Sequence, residues 1–172
     1  TRFYRLTLGS KDLISTVQDE VTHVSLYMQL QNMRYNNCAE FIADVPPELD
    51  HFSIPRLTFQ PIVENAIYHG IEQMAEDTNI YIKGRVEGND CVIEITDAGR
   101  GMTEEEMAQL RQKIAGELDS SGGSGNGIGL KNVQDRIQIA FGGAYGIEVA
   151  SQIGCYTKII VRIPMTHRGE AE

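Results

Sequence analysis

Apolar positions at Val17, Val21, Val24, Met28, Leu30 and Met33 recur near helical spacing across residues 15–35, which predicts one long amphipathic helix. The run CAEFIADV, residues 38–45, reads as a strand that Pro46 and Pro47 end, because proline cannot donate to a ladder. Beyond Pro55, the residues Leu57, Pro61, Ile62, Ala66 and Ile67 form the apolar stripe of a second helix, with Gly70 as its stop and Pro61 near its first turn. Residues 79–99 give the clearest hairpin, two β-rich runs joined at Glu87, Gly88, Asn89 and Asp90. Thr103 and Glu106 have the spacing of a capping box, opening a helix that ends at Gly116. A Gly/Ser-rich run follows, then a helix with Leu130, Val133, Ile137 and Phe141 on one face. GIEVAS and YTKIIVRIP make a second hairpin, and MTHRGEAE is a loose tail. The elements lack the regular βαβ rhythm of a parallel sheet. They predict an α+β two-layer sandwich: a mixed, mostly antiparallel sheet with helices on one face.

A chain of 172 residues is long enough for one domain with a real core. Its net charge of −9 offers no general attraction to nucleic acid or anionic lipid, so a bound polyphosphate would need local N–H groups and a divalent metal. Cys38, Cys91 and Cys155 are odd in number and widely spaced, which argues against a disulfide framework or a zinc site. No apolar run approaches the roughly 20 residues of a membrane span. The chain starts at Thr1 and not at Met, which leads us to expect a piece of something longer.

Three stretches carry candidate chemistry. GNGIGL, residues 125–130, is neither GxGxxG after a strand nor a Walker loop. It is a polar loop running into a helix N-terminus at about 128–130, where unpaired N–H groups and the helix dipole favour an anion. On the loop alone, a linker and a phosphate lid are equal readings. DAGRGM places Asp97 at the end of an apolar strand, followed by Gly99 and Gly101. Such a carboxylate can accept from an exocyclic amine, although an Asx turn accounts for the same residues. In PIVENAIYHG, Asn65 and His69 share a helical face. The Asn oxygen is a proper hard ligand for Mg²⁺, while a helix crosslink and a core histidine are the plainer readings.

In this order, VENAIYHG, DAGRGM, GNGIGL and GCYTKIIVRIP resemble the N, G1 and G2 boxes and terminal strands of the GHKL (Bergerat) ATP-binding fold. The finer detail, over about residues 3–164, resembles the LytS/YesM type of sensor histidine kinase. The resemblance implies ATP and Mg²⁺ as cofactors, with Asn65 on the metal and Glu64 beside it assisting proton removal from the acceptor. Tyr68 and His69 would flank the nucleotide, and Asp97 would take the adenine amine against a wall of Gly99, Gly101 and Met102. Gly125, Gly127 and Gly129 would form the lid hinge, with Ile128, Leu130 and Lys131 beside the phosphates and Thr157 at the base of the pocket. It further implies residues 1–36 as the end of a dimerisation and linker region, 37–166 as the ATP-binding domain and 167–172 as a tail. The parent would be a homodimeric, membrane-anchored kinase with this part in the cytoplasm, passing phosphate to a response regulator.

The sequence also departs from that family. No P-H-F-x-x-N box is present, and His23, His51, His69 and His167 lack its neighbours, so the acceptor histidine is expected elsewhere. Tyr68 stands where many kinases carry Lys, GCYT replaces GxGT, and Pro61 occupies the place of the ATPase branches' glutamate base. A different GHKL ATPase or serine kinase, or a non-catalytic nucleotide-sensing module, are the competing readings.

Overall fold

The computed structural model describes residues 13–35, 39–68, 78–117 and 126–167. His69, Gly70, Gly125, most of the Gly/Ser run and the last five residues of the tail lie outside them.

Helix α1 (Val17–Tyr35) forms where the periodicity places it, but its apolar residues divide between two faces. Val17, Val24 and Met28 are buried, whereas Leu30 and Met33 are 64% and 82% exposed and share the outer side with Leu26. Positions 17, 24 and 28 keep one register at 3.6 residues per turn, and positions 26, 30 and 33 keep another. The single stripe expected from spacing is therefore corrected to a buried face and an exposed one. A two-stranded antiparallel sheet, missed because each strand has three residues, joins β1 (Ile14–Thr16) to β3 (Ser53–Pro55) and ties the start of α1 to the segment that follows Pro55.

The main sheet has five strands in the order β2-β4-β5-β7-β6. β2 (Ala39–Asp44) stops before the two prolines, as expected, and runs parallel to β4 (Thr78–Glu87). β4 turns through Gly88 into β5 (Asp90–Asp97), and β6 (Gly146–Gln152) and β7 (Tyr156–Pro164) form the second hairpin, whose β7 pairs with β5. All these pairings except β2 with β4 are antiparallel, which is the mixed sheet expected from the sequence.

One face of the sheet buries Ile80, Ile82, Ile93, Ile95, Ile159 and Val161. The other carries ion pairs, with Arg85 and Lys158 on Glu94 at 2.5 and 3.0 Å. Pairs this exposed contribute at most about 1 kcal/mol each, so the apolar face holds the layers together. The helices α2 (Phe59–Ala66), α3 (Glu104–Ala115) and α4 (Asn126–Phe141), together with α1, supply the second layer. Leu130, Val133 and Ile137 of α4 are fully buried, as its stripe predicts. Thr103 and Glu106 cap α3 reciprocally, and Gly116 closes it with φ of 77°.

Two boundaries move. α2 starts after Thr58 and not directly after Pro55, which puts Pro61 in the first turn where its missing N–H is harmless. Its last turn widens into a π-type turn through Tyr68. α4 starts at Asn126, so Gly127 and Gly129 belong to its first turn and not to the preceding loop.

Candidate functional site

Asp97 ends β5 on the helix-facing side, in register with Ile80 of β4 and Thr157 of β7. Thr157 in turn lies opposite Ser151 of β6, so three polar side chains line up across the end of an apolar surface. Asp97 is 4% exposed, and its Oδ1 accepts from the Gly99 N–H at 3.1 Å. Burial pushes its carboxyl up to about 6, against the opposing pull of that N–H and its own. A carboxylate so placed, with one oxygen taken by Gly99, has an acceptor left for a ligand's N–H donor.

The turn after Asp97 is held by its neighbours. Gly101 has φ of 69°, and a Cβ there would lie 2.1 Å from the Gln152 carbonyl oxygen, so glycine alone fits. The Arg100 carbonyl accepts from the Gly154 N–H at 2.6 Å. The Met102 N–H donates to Ser151 Oγ at 2.8 Å, and that hydroxyl also bonds the Tyr156 carbonyl at 2.7 Å and Thr157 Oγ1 at 3.1 Å. Ser151 thus joins Met102 to Thr157, and sequence reasoning missed it. The signal was available, because strand alternation from Ile147 and Val149 puts residue 151 on the buried face.

Asn65 sits on α2, which packs against β5, and is 8% exposed. Its side chain has no hydrogen-bond partner among the described residues. Pro61 lies one turn earlier on the same face, and a Cβ on Gly129 would lie 3.6 Å from the Pro61 Cβ, so the first turn of α4 runs beside the Asn65 face of α2. Glu64 faces outward and accepts from Gln60 Nε2 at 2.8 Å, while Gln60 Oε1 meets His23 of α1 at 2.6 Å. Tyr68 is half-exposed.

At the start of α4, Gly127 packs on Lys113 of α3, where a Cβ would come within 2.8 Å of its Cδ. Lys131 pairs with Asp135 one turn on at 2.5 Å, and its chain passes Gly116. Ile128 is exposed, and Leu130 belongs to the core. Among the described residues no three His, Cys, Asp or Glu side chains converge, so a divalent ion at Asn65 would take most of its ligands from phosphate and water. A separate open hollow of about 890 Å³ runs along the outer face of α4 past Asn132, Arg136 and Ile139, and includes none of the predicted ligands.

Residues 54–167 match the family of histidine kinase-, DNA gyrase B-, and HSP90-like ATPases. The chain belongs to this family. Its ATP-binding fold is therefore established, as the ordered boxes implied. The chain is 33% identical over 162 residues to the sensor histidine kinase BtsS of Escherichia coli, and 34% identical over 160 residues to the sensor histidine kinase YesM of Bacillus subtilis. These matches cover 94% and 93% of this chain but 26% of each relative. In three dimensions it is similar to a nucleotide-free catalytic domain of histidine kinase ThkA, with a TM-score of 0.64 and 15% identity, covering 89% of this chain and 97% of that one. No helix among the described residues is long and apolar enough to cross a membrane.

Proposed function

We propose that this member of the ATPase family is the catalytic domain of a two-component sensor histidine kinase. It binds Mg·ATP and passes the γ-phosphoryl group to a histidine other than His23, His51, His69 and His167, and a response regulator receives it next. Residues 37–166 act as the ATP-binding domain, residues 1–36 as the end of the dimerisation and linker region, and 167–172 as a tail. The parent is a homodimer whose missing part attaches it to the membrane. The similarity to BtsS and YesM across nearly the whole chain supports this reading.

The observation that carries the nucleotide part is the buried carboxylate of Asp97, backed by Ser151 and Thr157 at the end of an apolar sheet. Burying a charge is costly unless it is matched, and the adenine amine supplies a matching donor. Gly99, Gly101 and Met102 shape the wall beside it. Asn65 fits Mg²⁺: it is a hard oxygen donor with no competing partner among the described residues. When bound, the ion neutralises phosphate charge, and catalysis is then largely positioning. Gly125, Gly127 and Gly129 serve as the lid hinge where the chain enters the first turn of α4, with Ile128, Lys131, Tyr68 and His69 near the nucleotide and Leu130 backing them from the core. Glu64 holds a carboxylate next to Asn65 and aids proton removal from the acceptor. With Pro61 where the ATPase branches carry a glutamate base, steady hydrolysis is slow.

Calorimetry with Mg·ATP tests this reading. We expect binding by the wild-type chain and its abolition or sharp weakening in Asn65→Ala and Asp97→Asn. γ-Labelled ATP should leave no acid-labile phosphate on this chain, and a phosphohistidine found here would overturn the assignment of the acceptor.

A further inference from the structure

The turn leading into α2 is gripped from two sides. Glu20, in the first turn of α1, is 3% exposed, which is unusual for a carboxylate. Its Oε1 accepts from the Leu57 N–H at 3.0 Å, and its Oε2 from the N–H groups of Thr58 at 2.9 Å and Phe59 at 3.4 Å. These are the donors that a helix start leaves unpaired, and negative charge at this end is favoured by the helix dipole. Thr58, the N-cap residue, makes no side-chain cap of its own, since its hydroxyl donates to the Pro55 carbonyl at 2.6 Å. The cap of α2 is therefore supplied by α1, nearly 40 residues earlier.

Arg136 of α4 holds the other side of the turn. Its guanidinium donates to the carbonyls of Arg56 at 2.7 Å and Leu57 at 2.9 Å. Between these grips Leu57 adopts φ of 58°, and it is the only non-glycine residue with positive φ among the described residues. Such a conformation is strained for a residue with a Cβ and persists where surrounding contacts over-determine it. Burial lowers the basicity of Arg136, and the nearby charge of Glu20 opposes that fall. From this turn α2 runs fewer than two turns to Glu64 and Asn65.

We propose that Glu20 and Arg136 are positioning residues for the phosphate end of the nucleotide site. Together they fix the setting of α2, and so of Asn65, relative to α1 and α4. A shift of α1 along its axis then reaches the start of α2 through the Glu20 carboxylate, beside the exposed His23–Gln60 contact between the two helices. The inference rests on the nucleotide reading above, and on Asn65 serving the Mg·phosphate end while Asp97 serves the base.

That division gives the test. Calorimetry on the 172-residue chain compares ATP with and without Mg²⁺, alongside ADP in the presence of a chelator. In Glu20→Gln an amide NH₂ faces backbone N–H groups, and we expect the Mg-dependent gain in affinity to fall by about tenfold, the scale seen when outer-shell support of a ligand is lost. Affinity for Mg-free ADP should stay within about twofold, because Asp97 lies on the sheet. Arg136→Lys keeps the charge but loses the two-carbonyl fork, and should show the same selective loss to a smaller extent. If Glu20→Gln fails to fold, Arg136→Lys is judged by the same criteria. Unchanged Mg·ATP affinity, or an equal loss for both nucleotides, overturns the proposal. A wild-type chain that binds ADP but gains nothing from Mg²⁺ overturns it while leaving the nucleotide reading intact. A wild-type chain that binds neither sinks both.

Discussion

The end of the candidate site proposed for the base stands on three neighbouring strands, whereas the end proposed for the phosphates stands on helix α2 and the first turn of α4. At the base end Asp97, Thr157 and Ser151 are fixed by ladder register, and the turn after Asp97 is pinned by bonds from Gly99, Met102 and Gly154. At the phosphate end Asn65 lacks a side-chain partner among the described residues, and the glycines of α4 are set by packing against Pro61 and Lys113. A fully bonded sheet end gives a recognition surface with one geometry. A helix pair set by caps and close glycine contacts gives a surface whose geometry follows its supports.

Four substitutions probe that contrast. Gly101→Ala should act most strongly, because the new Cβ collides with the Gln152 carbonyl and φ is positive, at a cost of about 3 kcal/mol or more. A urea midpoint close to that of the wild type would show that the base end yields more than its bonding implies.

Asp97→Asn should separate stability from binding. Loss of a hydrogen bond to a charged group costs about 1.5–3 kcal/mol of nucleotide affinity. The unliganded protein should nevertheless gain on the order of 2 kcal/mol near neutral pH, because the substitution removes a buried carboxylate whose pKa stands at about 6. The sign follows from linkage. A carboxyl with a raised folded pKa favours folding at low pH, and that contribution is lost as pH rises from about 4 through about 6. Wild-type ATP affinity should move the opposite way, weakening below about pH 6 as Asp97 takes up its proton. Melting curves and calorimetry at pH 5 and pH 8 check both, and a variant melting below the wild type at pH 8 counts against the account.

Ser151→Ala should cost about 1–2 kcal/mol of stability by orphaning the Met102 N–H, with a smaller loss of affinity. Gly129→Ala should have the smallest effect. Its Cβ meets only ordinary contact with Pro61, and alanine in a helix is favoured by about 1 kcal/mol. A variant that melts higher yet binds ATP more weakly would show that this glycine is kept for the nucleotide. Unchanged binding would remove Gly129 from the site.

Local signals in the sequence carried most of the fold. The capping box at Thr103, the hairpin at Gly88 and the two terminal strands were all legible, since each depends on residues close along the chain. The β1–β3 pair was not, because three-residue strands lack a period and their pairing is set by contacts far apart in sequence. On α1, spacing alone merged two faces, and the decisive clue was Glu20 in line with Val17, Val24 and Met28. A carboxylate on an apolar face announces a partner, and that partner is a backbone turn with no side-chain signature to read. The family match bears out the fold and the ATP-binding assignment drawn from the ordered boxes. The role of each site residue rests on the proposals above.

The parallel pairing of β2 with β4 has a consequence for how the molecule assembles and opens. β4 and β5 close through a tight turn, but Ala39 must find Thr78 roughly 40 residues later, so this edge pays the larger loop-closure entropy and should dock late. Helix α2 lies inside that connection. Amide hydrogen exchange should therefore be slowest in β5 and β7 and faster in β2 and α2, so that each transient detachment of the sheet edge also unseats the helix bearing Asn65.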